Sequence, residues 1–356
     1  MTEPRAKPLR YVDAGVDVDA ADATVKRFAA IAARTMRPEV LSGVGPFAGL
    51  FNVPAGYREP ALVASADGVG TKILIATALG RYNTVGADLV NHCVNDILTV
   101  GARPLFFMDY IATADLSQDH RVDLVSGIGD ACAAQNVALL GGETADMPDL
   151  YRSGDFDLAG FIVGVVERDD AIDGSRLAEG DTLVALPSGG LQTNGYSLVR
   201  EIWALGKGLG EEHDREALET VYEELEGSLG DALLAVHPSF LDELGPYLGG
   251  IHGIAHITGG GIPGNLSRLF TGDAAHLAGR IDAESWTVPA LFQLIQRTGG
   301  VEDGEMFRAF NMGAGIIVAI DDADATRLIE TVAGAWRIGE IVTRDADEPA
   351  VQGLPD

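Results

Sequence analysis

The stretch Ala61-Leu62-Val63-Ala64-Ser65-Ala66-Asp67-Gly68-Val69-Gly70-Thr71-Lys72 carries the clearest structural and chemical signal in the chain. Its first six residues are small or branched and are typical of a buried strand. The glycines that follow let backbone N–H groups approach an anion closely. Lys72 would supply a positive charge for phosphate, and Asp67 could hold a magnesium ion that bridges phosphate oxygens. A tight turn with a surface lysine is the simpler alternative.

Strands alternate with helices around this stretch. In the first half the pattern predicts helices over 20–36, 88–100 and 116–135, and strands over 61–66, 105–111, 137–140 and 156–166. The polar segment 168–180 is typical of a boundary, which gives domains 1–168 and 169–356. Both halves mix strands and helices in similar amounts, so we expect two related α/β domains.

The second half follows the same pattern. We predict strands over 181–186, 251–257, 276–281, 315–320 and 336–342, and helices over 196–205, 211–226, 241–248, 263–270, 288–298 and 324–333. The tail from Asp345 is predicted to fray.

Composition narrows the function classes. The formal charge is −28, from 53 acidic and 25 basic residues, so the surface should repel nucleic acid and anionic membranes. The chain has only four lysines, Lys7, Lys26, Lys72 and Lys207. An acidic surface with so few lysines suggests a high-salt cytosol, where screening would relieve the repulsion between the acidic groups. We find no apolar run that could span a membrane and no signal-peptide core at the start, and the two cysteines indicate reduced thiols, so we expect a cytoplasmic protein.

Three further segments of the first half are candidate nucleotide-binding elements. Asn91 and Asn95 share one face of a predicted helix, and the adjacent Asp96 is a candidate magnesium ligand. A strand running into Gly141-Gly142-Glu143 suits metal-bound phosphate, so Asp67, Asp96 and Glu143 could share one magnesium ion. The glycine loop with Gly43 and Gly45 could fold over a nucleotide, or it could be a plain connector. No GxxxxGK[ST] sequence occurs in the chain.

In the second half, two glycine-rich turns precede helices whose N-termini would suit phosphate. One contains Thr193, Asn194 and Ser197, and the other contains Thr258, Gly259 and Gly260. Helix capping alone is the alternative. His252 and His256 are four residues apart on a predicted strand, and we interpret them as core or surface histidines.

Read in order, the motifs resemble the phosphoribosylformylglycinamidine cyclo-ligase (aminoimidazole ribonucleotide synthetase) family. The resemblance covers about residues 10 to 344 and rests on Tyr11–Asp17, Asp67–Lys72, Val94–Asp96, Pro104–Phe107, Gly141–Pro148, Ala159–Phe161, Asn194–Arg200, Ile254–Gly261 and Phe310–Gly313.

The resemblance implies ATP-dependent ring closure of formylglycinamidine ribonucleotide to aminoimidazole ribonucleotide. It implies a homodimer in which the N-terminal strands of both subunits form a barrel, with the C-terminal α/β domain alongside. Catalysis is assigned to Lys72 and Asp67, and magnesium to Asp67, Asp96 and Glu143. ATP is assigned to Gly43, Gly45, Gly68, Gly70, Thr71, Asn91, Asp96, Gly141, Gly142 and Glu143. The ribonucleotide is assigned to Thr193, Asn194, Ser197, Thr258, Gly259 and Gly260.

Two segments depart from the family pattern. Gln192 stands where the family usually has a histidine, which puts any acid–base role of that position in doubt. His237–Leu241 replaces a segment with an arginine, so any phosphate contact there must come from another group, such as Arg200 or His237. Sister enzymes are less favoured: no cysteine precedes Cys93 as selenophosphate synthetase would require, and the opening Tyr11–Asp17 argues against thiamine-phosphate kinase. An ATP-binding dimer that has lost turnover is the non-catalytic alternative.

Overall fold

The computed structural model describes residues 18–355, so the Tyr11–Asp17 motif lies outside the described residues. The first domain consists of α1 (Val18–Ala32), β1 (Pro60–Gly68), α2 (Lys72–Leu79), α3 (Asn83–Leu98), β2 (Arg103–Thr113), α4 (Gln118–Ala134), β3 (Ala138–Asp146) and β4 (Phe156–Glu167).

The four strands form one sheet in the order β1-β4-β2-β3, curved as a half-barrel. Only β2 and β3 run parallel; the other pairs are antiparallel. Helix α3 packs closely on one face because β4 carries glycines there. A side chain at Gly160 would collide with Leu89 of α3, and one at Gly164 would collide with Ile97. This close packing fixes α3 beneath the end of β1.

The other face of this sheet carries large apolar side chains that are exposed in the single chain. Leu62, Met108 and Phe161 are 63%, 38% and 44% exposed. Phe161 lies opposite Met108 in the β4–β2 register and opposite Ala66 in the β1–β4 register, so these residues share one face. A three-strand apolar face of this kind is typical of a surface that binds a partner.

The second domain contains the strands β5 (Thr182–Pro187), β6 (Val221–Tyr222), β7 (Gly227–Ser228), β8 (Ile251–His256), β9 (Leu277–Ile281), β10 (Ala314–Ile320), β11 (Trp336–Thr343) and β12 (Val351–Gln352). Its helices are α5 (Tyr196–Ile202), α6 (Glu211–Glu219), α7 (Leu229–Leu233), α8 (Leu241–Leu244), α9 (Gly261–Leu266), α10 (Ala290–Gly299), α11 (Asp303–Ala309) and α12 (Asp322–Thr331). Six strands form a sheet in the order β12-β9-β11-β5-β10-β8, and β10 is buried along its whole length.

The prediction of two mixed α/β domains is confirmed, but local predictions need correction. Gly141–Thr144 lies inside β3 rather than after it, because its backbone continues the pairing with β2. Lys72 begins helix α2, which the sequence reading placed in a loop. The tail does not fray as predicted, since β12 pairs with β9.

Among the described residues, no helix combines the length and apolarity needed to cross a membrane.

Candidate active site

The junction of the two domains is built around a polar stripe on α3. Asp88, Asn91, His92 and Asn95 recur at helical spacing and so lie on one face of the helix. The stripe is held by the backbone of the second domain: Asn91 Nδ2 donates to the His237 carbonyl at 2.8 Å, and Asp88 Oδ1 accepts from the His237 N–H at 2.7 Å. The stripe therefore fixes how the two domains meet.

Asp67 and Asp96 meet at the mouth of this junction. Asp67 ends β1 with its side chain 45% exposed, and Asp96 lies at the end of α3 with 24% exposure. Both line a cavity of about 580 Å³ between the domains. Asp96 accepts from Ser65 Oγ at 2.9 Å and contacts His256 Nδ1 at 2.9 Å. The predicted pairing of these two carboxylates is therefore present in the folded chain.

Histidines set the charge of these carboxylates. Burial raises the pKa of Asp67, but His92, with Nε2 2.8 Å from Asp67 Oδ2, outweighs it and lowers that pKa. Burial likewise opposes the charged form of Asp96, yet His256 and His92 lower its pKa. The pKa of His92 is raised, because Asp67 and Asp96 outweigh the effect of burial. Both carboxylates are thus ionised over the physiological range and are available to a cation.

Lys72 is not placed as predicted. Its side chain is fully buried, with Nζ 2.7 Å from Asp88 Oδ2, and it donates to the carbonyls of Gln192 at 3.1 Å and Ala235 at 2.8 Å. Burial lowers the pKa of Lys72 and raises the pKa of Asp88, and each partner's charge opposes the shift. The reason for this placement is that α2 begins at Lys72 and directs the side chain into the domain junction. In this state Lys72 positions the junction and does not present its charge to the cavity.

The glycine-rich turns of the second domain meet the loop after β1. Thr71 Oγ1 lies 3.4 Å from Ser197 Oγ, and the Thr193 carbonyl lies next to Gly70. Thr193 Oγ1 is also 2.8 Å from His92 Nδ1. The structure therefore brings predicted ATP-binding and ribonucleotide-binding residues to one place.

The second of these turns completes the wall of the cavity. The Asn194 side chain lies beside Gly259, so the two turns are in contact with each other. Thr258 lines the cavity and is held by Asn265, and Gly260 precedes the short helix α9. Both predicted ribonucleotide-binding turns thus lie at the same junction as Asp67 and Asp96.

Glu143 does not join Asp67 and Asp96. Asp67 pairs with Gly160, Gly160 pairs with Asp109, and Asp109 pairs with Gly142, so Asp67 and Gly142 lie in one row of the sheet. They are on opposite edge strands, roughly 14 Å apart at ~4.8 Å per strand. Glu143 is the next residue, so its side chain points to the other face. A single magnesium ion bound by all three carboxylates is not formed within one chain.

Glu143 instead lines a second, mainly apolar cavity of about 270 Å³. Gly141 and Gly142 also line it, as does Val44, which lies between the predicted lid glycines Gly43 and Gly45. The predicted nucleotide-binding residues are therefore divided between two cavities. One lies at the domain junction, and the other lies beside α1 and α4.

A cluster of three histidines that the sequence did not predict lies behind the first cavity. His92, His237 and His256 pack with ring centroids 4.9 to 5.3 Å apart. His92 could have been found from its helical spacing with Asp88 and Asp96. Nothing in the sequence indicates that His237 and His256 come from distant segments to the same point. From the sequence, His256 is interpreted as a core or surface histidine. In the structure it lines the cavity and its Nδ1 contacts Asp96, so it belongs to the candidate site.

Comparison with known proteins gives the same assignment along the whole chain. Residues 48–166 match the domain family described as AIR synthase related protein, N-terminal domain, and residues 178–352 match the corresponding C-terminal domain. A phosphoribosylformylglycinamidine cyclo-ligase of Coxiella burnetii (strain RSA 331 / Henzerling II) is 43% identical over 99% of this chain and 98% of its own. One from Sorangium cellulosum (strain So ce56) is 46% identical over 94% and 96%.

Solved structures show the same fold at lower sequence identity. Thiamine-monophosphate kinase from Stenotrophomonas maltophilia K279a superposes with a TM-score of 0.65 at 23% identity, covering 91% of this chain and 94% of that one. The full-length sequence relatives, together with both matched domains, establish the family. The chain belongs to the AIR synthase related family, as a member similar over nearly its whole length to phosphoribosylformylglycinamidine cyclo-ligases.

Proposed function

We propose that this protein is the ATP-dependent cyclo-ligase that converts formylglycinamidine ribonucleotide to aminoimidazole ribonucleotide in purine biosynthesis. The observation that carries the proposal is the interdomain cavity lined by Asp67, Asp96 and Thr258. The Thr193–Ser197 turn lies next to it, in contact with His92 and Thr71. The relatives that share nearly the whole chain carry the cyclo-ligase name.

The reaction requires activation of a poor leaving group. The formamide oxygen of the substrate attacks the γ-phosphorus of ATP, and ADP leaves. The amidine nitrogen then attacks the formamide carbon that bears this phosphorylated oxygen and expels inorganic phosphate, which closes the ring. Because this second step is intramolecular, holding the chain folded removes much of its entropic barrier. Phosphoryl transfer demands positioning and charge neutralisation rather than a covalent nucleophile.

Asp67 and Asp96 fit a magnesium ion. One oxygen of each lies within 4.8 Å of the other, and both side chains face the cavity. Mg²⁺ is usually held by one or two carboxylates, with waters and substrate phosphates completing its oxygen shell. When bound, it would neutralise charge on the transferred phosphoryl group. Gly68, Gly70 and Thr71 follow Asp67 directly and are proposed to face the phosphates.

The two glycine-rich turns of the second domain are proposed to hold the ribonucleotide. Thr193 and Ser197 face the Gly70–Thr71 loop across the junction, and the Asn194 side chain lies beside Gly259, so a substrate bound there would lie beside the phosphates. Thr258 lines the cavity from the opposite wall, and Gly259 and Gly260 lead into α9.

We propose that ATP also uses the second cavity, with Gly141, Gly142 and Glu143 as its lining and the Gly43–Gly45 loop as its cover. Asn91 is proposed to act only through the junction, since its amide binds the His237 carbonyl. Lys72 is proposed to act in the same way, as a residue that positions the Thr193 turn through the Gln192 carbonyl.

The apolar face of the first sheet favours a homodimer. Leu62, Met108 and Phe161 would be covered if a second copy packed its half-barrel against this one. Phe161→Asp should then shift the sedimentation coefficient to that of a monomer, whereas Leu209→Asp, at a more exposed site in the second domain, should not. We further propose a cytoplasmic protein adapted to high salt, from its charge of −28.

The proposal is tested by incubating the purified protein with ATP, Mg²⁺ and formylglycinamidine ribonucleotide at low and at molar salt. We expect one aminoimidazole ribonucleotide and one phosphate for each ATP consumed. ATP hydrolysis without ring closure, or no product at any salt concentration, would reject the cyclo-ligase assignment.

A further inference from the structure

Three histidines converge behind the first cavity. His92 comes from α3 of the first domain, while His237 and His256 come from the second domain. One ring nitrogen of each lies within 4.8 Å of the other two, and all three side chains are buried. His256 Nε2 is only 3.1 Å from His237 Nε2.

The hydrogen bonds of Asn95 fix the protonation of His237. Asn95 Oδ1 accepts from the Phe240 N–H at 2.9 Å, and Nδ2 donates to the Pro238 carbonyl at 2.8 Å. The Phe240 N–H can only donate and the Pro238 carbonyl can only accept, so the oxygen and nitrogen of the Asn95 amide cannot be exchanged. Its Nδ2 also lies 3.1 Å from His237 Nε2, and this nitrogen must therefore present a lone pair.

The same reasoning applies to His256 and leaves two unprotonated ring nitrogens close together. His256 Nδ1 lies 2.9 Å from Asp96 Oδ1, and a carboxylate only accepts, so Nδ1 carries the hydrogen. In the neutral ring Nε2 then carries a lone pair and lies 3.1 Å from His237 Nε2, whose own lone pair accepts from Asn95, so no hydrogen bond can join the two ring nitrogens. Two such nitrogens at 3.1 Å repel unless a cation or a proton lies with them.

His92 offers the third nitrogen. Its Nδ1 is bonded to Thr193 Oγ1 at 2.8 Å, and its Nε2 lies 2.8 Å from Asp67 Oδ2. This contact is an ion pair when the ring is protonated, and a metal ion bound at Nε2 would take the place of that proton.

We propose that His92, His237 and His256 form a binding site for a divalent transition-metal ion of the Zn²⁺ or Co²⁺ class, distinct from the carboxylate site for magnesium. Imidazole nitrogens favour these ions, whereas Mg²⁺ favours oxygen. Tetrahedral metal–nitrogen bonds of about 2.0–2.1 Å bring ligand nitrogens to roughly 3.3 Å from one another. The His237–His256 separation already meets that spacing, and side-chain rotation of His92 would complete it.

The surroundings resemble those of protein metal sites in two respects. Metal-binding histidines commonly donate their second ring N–H to a carboxylate or another oxygen, as His256 does to Asp96 and as His92 can to Thr193. His256 also lines the interdomain cavity, which provides a route for the ion. Because the ligands come from both domains, the ion would tie the domains together and stabilise the folded chain.

The test uses tag-free protein, stripped with a chelator and titrated with Co²⁺ in the presence of millimolar Mg²⁺. We expect one Co²⁺ per chain, with the visible absorption of a tetrahedral nitrogen-rich site, displacement by Zn²⁺ and a raised melting temperature. His237→Asn and His92→Gln should each weaken Co²⁺ binding by about a hundredfold or more. The matched control His276→Asn changes an exposed histidine and should bind as the parent does.

Far-ultraviolet circular dichroism of the stripped variants shows whether each has folded, and one folded cluster variant is enough for the comparison. The inference does not depend on cyclo-ligase activity, because the readout is the spectrum of the bound ion. Absence of Co²⁺ absorption in the parent protein, or equal binding by the parent and a folded cluster variant, would overturn it. The first of these results would mean that a proton, not a metal, separates the two ring nitrogens.

Discussion

Asp67 and Asp109 lie in the same row of the first sheet, one on each side of Gly160, yet their surroundings differ sharply. Asp67 is on the edge strand, half-exposed in the interdomain cavity and next to His92, which lowers its pKa. Asp109 is on the inner strand β2, at the floor of the second cavity. Burial without a cation bound to it raises the pKa of Asp109 to about 7.

This difference separates the roles of the two cavities. The first holds two carboxylates with lowered pKa beside each other, while in the second Asp109 has a raised pKa, Asp146 is paired with Arg121, and Glu143 lies at the rim. A third aspartate, Asp88, is as buried as Asp109 but has Lys72 at 2.7 Å. Burial raises the pKa of Asp88 as it does that of Asp109, and the charge of Lys72 opposes the rise at Asp88.

The largest expected effect is at Asp67. Asp67→Asn keeps the shape of the side chain but removes the charge that would hold the metal, so kcat/KM for ring closure should fall about a thousandfold. Steady-state kinetics at saturating Mg²⁺ measure this. Asp123→Asn, the same change on the exposed side of α4, serves as the control. Near-parental kinetics in Asp67→Asn would show that the phosphate site is elsewhere.

Next in size is the buried ion pair. Lys72→Met leaves Asp88 buried without its partner, and we expect a loss of about 3 kcal/mol in the free energy of unfolding, measured in urea. The double variant Lys72→Met/Asp88→Leu should recover much of this loss, because no charge then remains uncompensated. If the double variant is as unstable as the sum of the single ones, the pair does not behave as a coupled unit.

A smaller effect, dependent on pH, is expected at Asp109. Its folded pKa of about 7 exceeds the ordinary value, so the folded state binds more protons and stability falls as pH rises from about 4 through 7. Asp109→Asn removes this dependence. Relative to the parent, the variant should gain roughly 2 to 3 kcal/mol between about pH 5 and about pH 8.5 in urea unfolding. Identical pH slopes in both proteins would contradict the assignment.

The smallest effect is expected at Glu143. Because it is exposed and lies away from Asp67, Glu143→Gln should raise the KM for ATP by about tenfold, with little change in kcat. A fall in kcat as large as that of Asp67→Asn would instead place Glu143 at the reacting phosphate. That result would imply that the two cavities act as one site in the assembled protein.

Sequence periodicity was sufficient for most of the fold. The alternation around Ala61–Ala66 and the helical spacing of α3 and α4 predicted these elements, because each buries one regular face. It failed where glycine is part of a strand: Gly141 and Gly142 read as a turn, yet pairing with β2 keeps them extended. The tail was misread for a similar reason, since the partner strand β9 lies far away in sequence.

The site was predictable only in part. Asp67 and Asp96 could be paired in advance because a strand end and a helix on the same sheet meet there. The burial of Lys72 could not be predicted, since its acceptors Gln192 and Ala235 belong to the other domain. The histidine cluster could not be predicted either, because His237 and His256 meet through the fold of the second domain and His92 reaches them from the first.

The most direct test of the account is a crystal structure with Mg²⁺ and a non-hydrolysable ATP analogue. The account predicts a magnesium ion bound to oxygens of both Asp67 and Asp96, at about 2.0–2.1 Å, with the terminal phosphate beside Gly68–Thr71. A magnesium ion and phosphates held by Glu143 alone, with Asp67 and Asp96 still bonded only to their histidines, would contradict it.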